Sequence, residues 1–231
     1  MKDLLVITPT RGRPDQLKTM VGATLGLSEA ATHVAVAVDD DDVMGYFMAR
    51  EQMGDEPRVW WFTGPRDTLT GWTNKLAARF AGEYRAVASL GDDHLPKTQG
   101  WDRLLLDALD GMGGTGIAYG DDTIMSERLP TAPVISSDIV RALGWMCLPA
   151  LRHMCVDLVW KDLGHGAGCI AYVPSVTVEH LHWGQGKSPL DATYAEAESR
   201  HQEDRDAYAA WREDGMTVDV DTVRALREPQ S

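Results

Sequence analysis

The 231-residue sequence predicts an α/β protein in which helices flank a doubly wound, mostly parallel sheet. Short apolar runs alternate with helical segments along the first half of the chain, and this order is typical of parallel sheets. Acidic residues follow directly after two of these runs, at the strand ends where open α/β sheets bind ligands. A hydrophobic content of 44% and a charged content of 25% are ordinary for a globular domain.

The first half of the chain supplies the predicted centre of the sheet. Each predicted strand is a run of mainly apolar, often β-branched residues that can be buried on both faces. These strands span residues 4–8, 33–38, 58–62 and 85–90. The predicted helices between them span residues 15–25, 44–53 and 74–81, and residues 63–72 are predicted to form a polar loop.

The second half of the chain alternates less regularly. Extended segments are predicted at residues 117–119, 131–136 and 170–178, and helices at 101–109, 139–143 and 155–163. A long, mostly exposed helix is predicted at 191–212, with a short terminal element at 217–227. We therefore expect one domain over residues 1–190, divided near residue 95, and a C-terminal helical arm over residues 191–231.

Composition and charge narrow the class of protein. The net charge of −13 opposes non-specific attraction to nucleic acid, because phosphate neutralisation needs Lys and Arg. Three cysteines without a CxxC spacing predict neither a disulfide framework nor a zinc site. No apolar run approaches the ~20 residues of a membrane span, and the first residues lack a secretory signal layout. We expect no membrane span and a cytoplasmic setting.

The stretch Gly91-Asp92-Asp93-His94 is the strongest candidate site, because it follows the buried strand at 85–90. Neighbouring carboxylates repel each other unless a cation or hydrogen-bond donors neutralise them. Oxygen ligands of this kind suit Mg²⁺ or Mn²⁺, and both ions bridge phosphates. The alternative is a solvated acidic turn.

Asp39 ends the second predicted strand and begins an acidic run. Its position at a strand end favours contact with a ligand. The alternative is the acidic start of the next helix, where carboxylates are stabilised by the helix dipole. Polar and basic groups that can meet a phosphate or a base follow the first strand in Thr8-Pro9-Thr10-Arg11.

These motifs together resemble the GT-A glycosyltransferases, particularly the family 2 type. Residues 6–14, Val-Ile-Thr-Pro-Thr-Arg-Gly-Arg-Pro, resemble the opening strand and loop of that family, and Ala-Val-Asp39 resembles its second strand. Gly91-Asp-Asp93 occupies the place of the DXD motif, although the order is Gly-Asp-Asp-His. The resemblance covers roughly residues 4–190. The compact chain is similar to small soluble glycosyltransferases of bacteriophages and their hosts.

The resemblance implies a metal-dependent, inverting transfer of a sugar from a nucleotide-diphosphate donor, expected to be a UDP-sugar, to a hydroxyl. Residues 1–95 would bind the donor and residues 96–190 the acceptor. The implied metal site holds Mn²⁺ or Mg²⁺ on Asp93, with Asp92 on the ion or the ribose, and with His180 or His182 as a late ligand. The implied donor contacts are Thr8, Pro9, Thr10, Arg11, Asp39 and, more weakly, Arg13 and Lys75.

Two further roles belong to this reading. Lys187 follows two glycines in Gly184-Gln-Gly-Lys187 and is a candidate for a flexible lid that closes over the pyrophosphate. The alternative is an ordinary exposed lysine in a loop. Asp157, at the start of a predicted helix, is the candidate general base, with a plain helix cap as the alternative. Asp122 is the reserve candidate for the base.

Several alternatives stay open. A nucleotidyltransferase acting on a sugar phosphate also uses paired carboxylates, and a non-catalytic nucleotide-sugar binding module would need the same donor contacts. The acceptor can be a hydroxymethylated pyrimidine in DNA, a hydroxyl on a protein such as a virion protein, or a small glycoside. The sequence does not indicate the oligomeric state.

Overall fold

The computed structural model describes residues 1–187, 191, 195 and 199–228. Within these residues the chain forms an eight-stranded mixed sheet with helices on both faces. The strands are β1 Lys2–Thr10, β2 Thr32–Asp39, β3 Val59–Gly64, β4 Tyr84–Ser89, β5 His94–Pro96, β6 Ile117–Asp121, β7 Val134–Ser136 and β8 Ile170–His180. The α-helices are α1 Pro14–Gly26, α2 Phe47–Met53, α3 Leu69–Phe80, α4 Trp101–Gly111, α5 Ser137–Leu143, α6 Val156–Ala167, α7 His201–Ala210 and α8 Met216–Arg227.

The strands lie in the order β3-β2-β1-β4-β7-β6-β8-β5. The pairs β1/β2, β1/β4, β2/β3 and β6/β8 are parallel, whereas β7 runs antiparallel to both β4 and β6, and β5 runs antiparallel to β8. The predicted class, a doubly wound and mostly parallel sheet flanked by helices, is confirmed. No described helix has the length and apolar character needed to cross a bilayer.

The central strands are apolar because both faces of the sheet are covered. In β1, Leu5 and Ile7 join the hydrophobic core on one face, while Leu4 and Val6 join the core on the other. This division follows from the two-residue period of a strand. The continuous apolar runs in the sequence therefore reflect a sheet that is buried between two layers of helices.

Two local predictions were wrong. The loop predicted through Trp72 ends earlier, because Thr68 caps α3 by accepting a hydrogen bond from Gly71 N at 2.9 Å, and Trp72 is buried in the first turns of that helix. The sequence analysis also placed no strand between residues 90 and 117, but residues His94–Pro96 form β5 at the sheet edge, where the missing N–H of a proline costs little.

The C-terminal arm is more buried than its composition suggests. Within the described residues α7 begins at His201, and a π-helical turn over Trp211–Gly215 leads into α8. Trp211, Val220 and Val223 lie in the same core as β1 and α6. Helix α8 packs against α5 and α6. Part of the helix predicted over 191–212 lies outside the described residues; within the described part, residues 199–212 are mostly exposed, as predicted, apart from the buried Asp204 and Trp211. Val220 and Val223 belong to the predicted terminal element.

The edge strand β3 carries three consecutive aromatic residues, and each has a cation over its ring. The Lys2 ammonium lies 4.6 Å from the ring centre of Trp60. Arg50 and Arg79 lie 5.8 Å and 5.1 Å from the rings of Trp61 and Phe62. These distances are within the range of cation–π attraction.

Gly120 in β6 provides a test of the packing between β6 and the bulge of β8. A Cβ at this position would lie 2.5 Å from the backbone oxygen of Val176. Gly120→Ala should therefore lower the free energy of unfolding by about 1–3 kcal/mol, measured by urea denaturation. Gly22→Ala is the control: its Cβ would meet nothing within 4 Å on α1, and it should raise stability by about 0.5–1 kcal/mol. Equal effects of the two substitutions would contradict this packing.

Candidate functional site

A cavity of about 380 Å³ opens at the carboxyl ends of the central strands. Its floor contains residues that follow β1, β2 and β4, and its walls come from the loop before α3, the start of α6 and the end of β8. This volume is within the range of small-molecule sites. Open α/β sheets bind ligands at this end of their strands, and the predicted strand-end acids Asp39, Asp92 and Asp93 all line the cavity.

Asp92 faces the loop that follows β1. Its Oδ2 accepts a hydrogen bond from the Thr10 hydroxyl at 2.6 Å, and its Oδ1 accepts one from Arg13 Nη1 at 3.1 Å. Arg13 is itself buried and also donates to both carboxylate oxygens of Asp191. Burial, reinforced by the charge of Asp93, raises the pKa of Asp92 to about 6 despite these donors.

Asp93 faces the other way, toward two histidines. Its Oδ1 lies 3.1 Å from His94 Nδ1, and its Oδ2 lies 3.6 Å from His180 Nε2. Burial opposes ionisation of Asp93, but the imidazoles of His180 and His94 hold its pKa well below the usual value of 3.8. The pKa values of the two adjacent acids are therefore shifted in opposite directions: burial and the neighbouring charge raise that of Asp92, whereas the imidazoles lower that of Asp93.

The pairing of β5 with β8 brings the histidines together. His94 is directly opposite His180 in this antiparallel pair, so both side chains leave the same face of the sheet. Their rings stack with centres 4.2 Å apart. Gly91 is required beside them, because a Cβ there would lie 2.6 Å from Asp93 Oδ1 and 2.9 Å from His94 Nδ1.

Asp93, His94 and His180 form a set of possible metal ligands whose donor atoms all lie within 4.8 Å of one another. Within the described part of the chain, His94 Nε2 is buried and has no hydrogen-bond partner. Buried polar atoms normally have a partner, so this nitrogen fits a ligand atom for a bound ion. One carboxylate and two imidazoles suit a transition-metal ion such as Mn²⁺ better than Mg²⁺. The residues present therefore fit a divalent cation.

Two of the predicted metal ligands occupy other positions. Both oxygens of Asp92 already accept hydrogen bonds, and Asp92 is not a member of the cluster. His182 lines the cavity, but its ring meets His180 edge-on at 5.1 Å and its Nδ1 accepts a hydrogen bond from Gly184 N. Instead, His94 is the third member of the cluster with Asp93 and His180. The sequence analysis left it out of the ligand set, although it directly follows Asp93.

Asp39 organises the opposite side of the cavity. Its Oδ1 accepts hydrogen bonds from the Trp72 indole at 2.7 Å and from Asp67 N at 3.1 Å. Its Oδ2 accepts one from Arg11 Nη1 at 3.0 Å. These contacts fix the indole of Trp72 and the loop before α3 beside Asp39. Trp72 was not among the predicted site residues, because its segment was predicted to be a loop.

The predicted donor contacts divide into two groups. Pro9, Thr10 and Arg11 line the cavity. Thr8 does not, because its side chain is fully buried within β1. Lys75 and Lys187 also lie outside the lining: Lys75 Nζ is 2.7 Å from Asp67 Oδ2, and Lys187 Nζ is 2.7 Å from Glu179 Oε1.

The two candidates for the general base lie in different surroundings. Asp157 lines the cavity in the first turn of α6, and its Oδ1 accepts a hydrogen bond from Leu158 N. Burial raises its pKa above 3.8. Asp122 lies outside the lining and is 2% exposed. The structure therefore brings Asp157 and not Asp122 to the cavity.

Asp122 instead anchors the turn that follows β6. Its Oδ1 accepts hydrogen bonds from Ile124 N, Met125 N and Ser126 N, and its Oδ2 accepts one from the Thr131 hydroxyl. Burial opposes ionisation, but these donors lower the pKa of Asp122 below 3.8. A carboxylate held by four donors is expected to stabilise the folded chain.

No family model matches the chain, and no curated protein matches it. Solved structures do match. The mannosyltransferase PcManGT from Pyrobaculum calidifontis, in complex with GDP-Man and Mn²⁺, is 12% identical with a TM-score of 0.62, over 97% of this chain and 75% of that one. GalNAc-T7 with UDP, GalNAc and Mn²⁺ is 12% identical with a TM-score of 0.64, over 79% and 44%. S. aureus TarS 1-349 with UDP-GlcNAc is 10% identical with a TM-score of 0.60, over 84% and 64%.

These similarities establish the fold. The chain has a GT-A-like fold, and the expectation drawn from the sequence motifs is confirmed. The chain spans less than two thirds of the length of TarS 1-349 and of GalNAc-T7.

Asp122 yields a prediction about stability and pH. Because its pKa is lower in the folded chain than in the unfolded chain, its ionised form stabilises the fold above pH 3.8, and this contribution is lost as pH falls through the lowered folded value. Asp122→Asn should lower the free energy of unfolding at pH 7 by about 1–3 kcal/mol.

Urea denaturation at neutral pH and below pH 3.8 measures this difference. The difference between Asp122→Asn and the unmodified chain should shrink in acid. Asp15→Asn, whose side chain is 94% exposed, is the control and should change little at either pH. A difference that persists unchanged in acid would show that the ionised carboxylate is not responsible.

Proposed function

We propose that this chain is a metal-dependent glycosyltransferase that moves a sugar from a nucleotide-diphosphate donor to a hydroxyl acceptor. The observation that carries the proposal is the cluster of Asp93, His94 and His180 inside the strand-end cavity of a GT-A-like fold. Structural neighbours with this fold were solved with UDP, UDP-GlcNAc or GDP-Man, and two of them with Mn²⁺. We propose a UDP-sugar as the donor and a transfer that inverts the anomeric centre.

The metal in this proposal is held by Asp93, His94 and His180. A bound divalent ion would supply Lewis-acid stabilisation of the negative charge that develops on the leaving diphosphate. The donor set favours Mn²⁺ over Mg²⁺. Asp92 keeps the role of linking Thr10 and Arg13 to the strand end, beside the ion and not on it.

The nucleoside of the donor would lie on the other side of the cavity. Trp72 presents an indole that Asp39 holds in place, and Pro9 and Arg11 line the same side. An aromatic ring and a fixed carboxylate can bind a base and the hydroxyls of a ribose. The positioning of the donor is therefore assigned to groups whose orientation is already fixed by hydrogen bonds.

Asp157 is proposed as the general base. An Oδ atom of Asp157 would take the proton from the acceptor hydroxyl as the oxygen attacks the sugar. A raised pKa makes the carboxylate a stronger base than an exposed aspartate. Met154, Cys155 and Trp160 line the same part of the cavity, which is therefore assigned to the acceptor.

A donor panel with Mn²⁺ tests the reaction class. Release of a nucleoside diphosphate together with a glycosylated product supports sugar transfer. Release of pyrophosphate from a nucleoside triphosphate and a sugar phosphate would identify a nucleotidyltransferase instead, and binding without turnover would identify a binding module. The acceptor panel contains hydroxymethylated DNA, hydroxyl-bearing proteins and small glycosides, because each offers the hydroxyl that the proposal needs.

The metal cluster gives a prediction about three histidines. His94→Ala and His180→Ala should each weaken Mn²⁺ binding by about tenfold or more, measured by calorimetry, because each removes one ligand of the cluster. His182→Ala is the matched control, since His182 lines the same cavity outside the cluster, and it should change the affinity much less. Equal effects of all three substitutions would contradict the assignment.

The base assignment gives a prediction about rate and pH. Asp157→Asn should slow transfer by roughly 10²-fold or more while donor affinity holds, because Asp157 serves the acceptor. In the unmodified enzyme, kcat/KM should fall in acid with a midpoint above pH 3.8. The reason is that Asp157, whose pKa is raised, takes up its proton at a higher pH than an exposed aspartate does. This acid limb should be absent from the variant. Loss of donor binding in Asp157→Asn would instead put this residue in the donor site.

A further inference from the structure

A buried carboxylate from the C-terminal arm holds one wall of the cavity. Asp204, in the first turn of α7, is 1% exposed. Its Oδ1 accepts a hydrogen bond from Arg152 N at 2.8 Å. Its Oδ2 accepts hydrogen bonds from His153 N at 3.0 Å and from Met154 N at 2.6 Å. One side chain thus binds three consecutive backbone N–H groups of the segment 152–154, which we name the clamped segment.

The clamped segment leads into an unfavourable backbone conformation. Cys155, directly after it, has φ 65° and ψ 4°, the left-handed region in which a residue with a side chain is strained. Such conformations persist where the surroundings fix them, and they cluster at functional sites. The three hydrogen bonds to Asp204 hold the chain immediately before this residue. Asp204 is therefore placed to maintain the turn with which α6 begins.

The same segment joins the two sides of the cavity. All three of its residues line the cavity, and Arg152 O accepts a hydrogen bond from Thr70 N in α3, next to the lining residue Leu69. On its other side the chain continues through Cys155 to Asp157, which also lines the cavity. A shift of the segment would therefore move the start of α6 relative to α3.

We infer that Asp204 is a positioning residue, which acts through the clamped segment to place Asp157 against the acceptor. The C-terminal arm then takes part in the reaction without contacting the reacting atoms. The effect on transfer rests on the proposed function, whereas the clamp itself rests only on the hydrogen bonds of Asp204. The inference assigns the arm an effect on the acceptor step and none on donor or metal binding.

Two substitutions and one control isolate the clamp. Asp204→Ala removes all three acceptors. Asp204→Asn keeps one oxygen but turns an amide N–H₂ toward at least one backbone donor, so it weakens the clamp and preserves the shape of the side chain. Asp206→Ala is the matched control on the same helix, because Asp206 is exposed and accepts a hydrogen bond from the Gln202 side chain, one turn before it on the same helix.

Hydrogen exchange tests the clamp without any activity measurement. Peptides that contain the clamped segment should exchange about tenfold faster or more in Asp204→Ala, with a smaller increase in Asp204→Asn, because donors bound to a buried carboxylate become available to solvent. Peptides from α1 should be unchanged, and Asp206→Ala should match the unmodified chain throughout. Unchanged exchange of the clamped segment in a folded Asp204 variant would overturn the inference.

Kinetics with the identified donor and acceptor test the positioning. In Asp204→Asn, kcat/KM for the acceptor should fall about tenfold or more, while the dissociation constants for Mn²⁺ and for UDP stay within about twofold. An equal loss of UDP affinity would show that Asp204 supports the whole cavity, and would overturn the specific role. If the unmodified chain transfers no sugar, the proposed function fails, and hydrogen exchange still decides whether the clamp exists. If Asp204→Ala does not fold, Asp204→Asn alone supplies both measurements.

Discussion

Two adjacent buried carboxylates, Asp92 and Asp93, constrain the whole strand-end cavity. Side by side and away from water, both cannot stay ionised without partners. The chain separates them by turning one toward β1 and the other toward β5 and β8. Thr10 donates to Asp92, the histidines lie against Asp93, and Arg13 Nη1 lies 3.1 Å from Asp92 Oδ1 and 3.7 Å from Asp93 Oδ2. Because these partners come from different parts of the chain, the charge pair ties the two halves of the sheet together at this point.

This constraint explains the unusual edge of the sheet. A strand as short as β5 contributes little to stability by itself, yet its antiparallel pairing with β8 is what sets His94 against His180. The register of that pair has to be correct to a single residue, since a slip by one would turn a histidine to the other face. The β5/β8 register therefore sets the Asp93 carboxylate beside the two stacked imidazoles. A metal ion bound there would contact all three side chains.

The sequence predicted what depends on local patterns. Apolar runs located the central strands, and acids at their ends located the floor of the cavity, including Asp39 and Asp93. It could not locate features that depend on pairing between distant segments. His94 meets His180 only through the β5/β8 register. Asp122 is a different case, because it lies outside the cavity and is bound by backbone donors of the turn that directly follows it.

Residue types also misled where long-range packing decides. An acidic helix predicted to be exposed carries Asp204, whose three backbone donors lie about 50 positions earlier in the chain. Lys187 was a candidate lid and Lys75 a weaker candidate for a donor contact, but Lys187 lies against Glu179 and Lys75 against Asp67. Thr8 is fully buried within β1 and does not line the cavity, whereas Thr10, at the end of the same strand, does. Of these contacts, those of Asp204 join segments too far apart for any short window of sequence to contain both.

The aromatic edge strand β3 has a consequence for how the molecule behaves at high concentration. Among the described strands, β3 pairs on one side only, so its other side offers backbone groups to any passing extended chain. A chain that paired there would come close to the positive charges of Lys2, Arg50 and Arg79, which lie over the rings of β3. Two copies meeting edge to edge would bring six like charges together. The cations thus oppose edge-to-edge pairing of strands between copies of the chain, although three aromatic side chains lie on this edge strand.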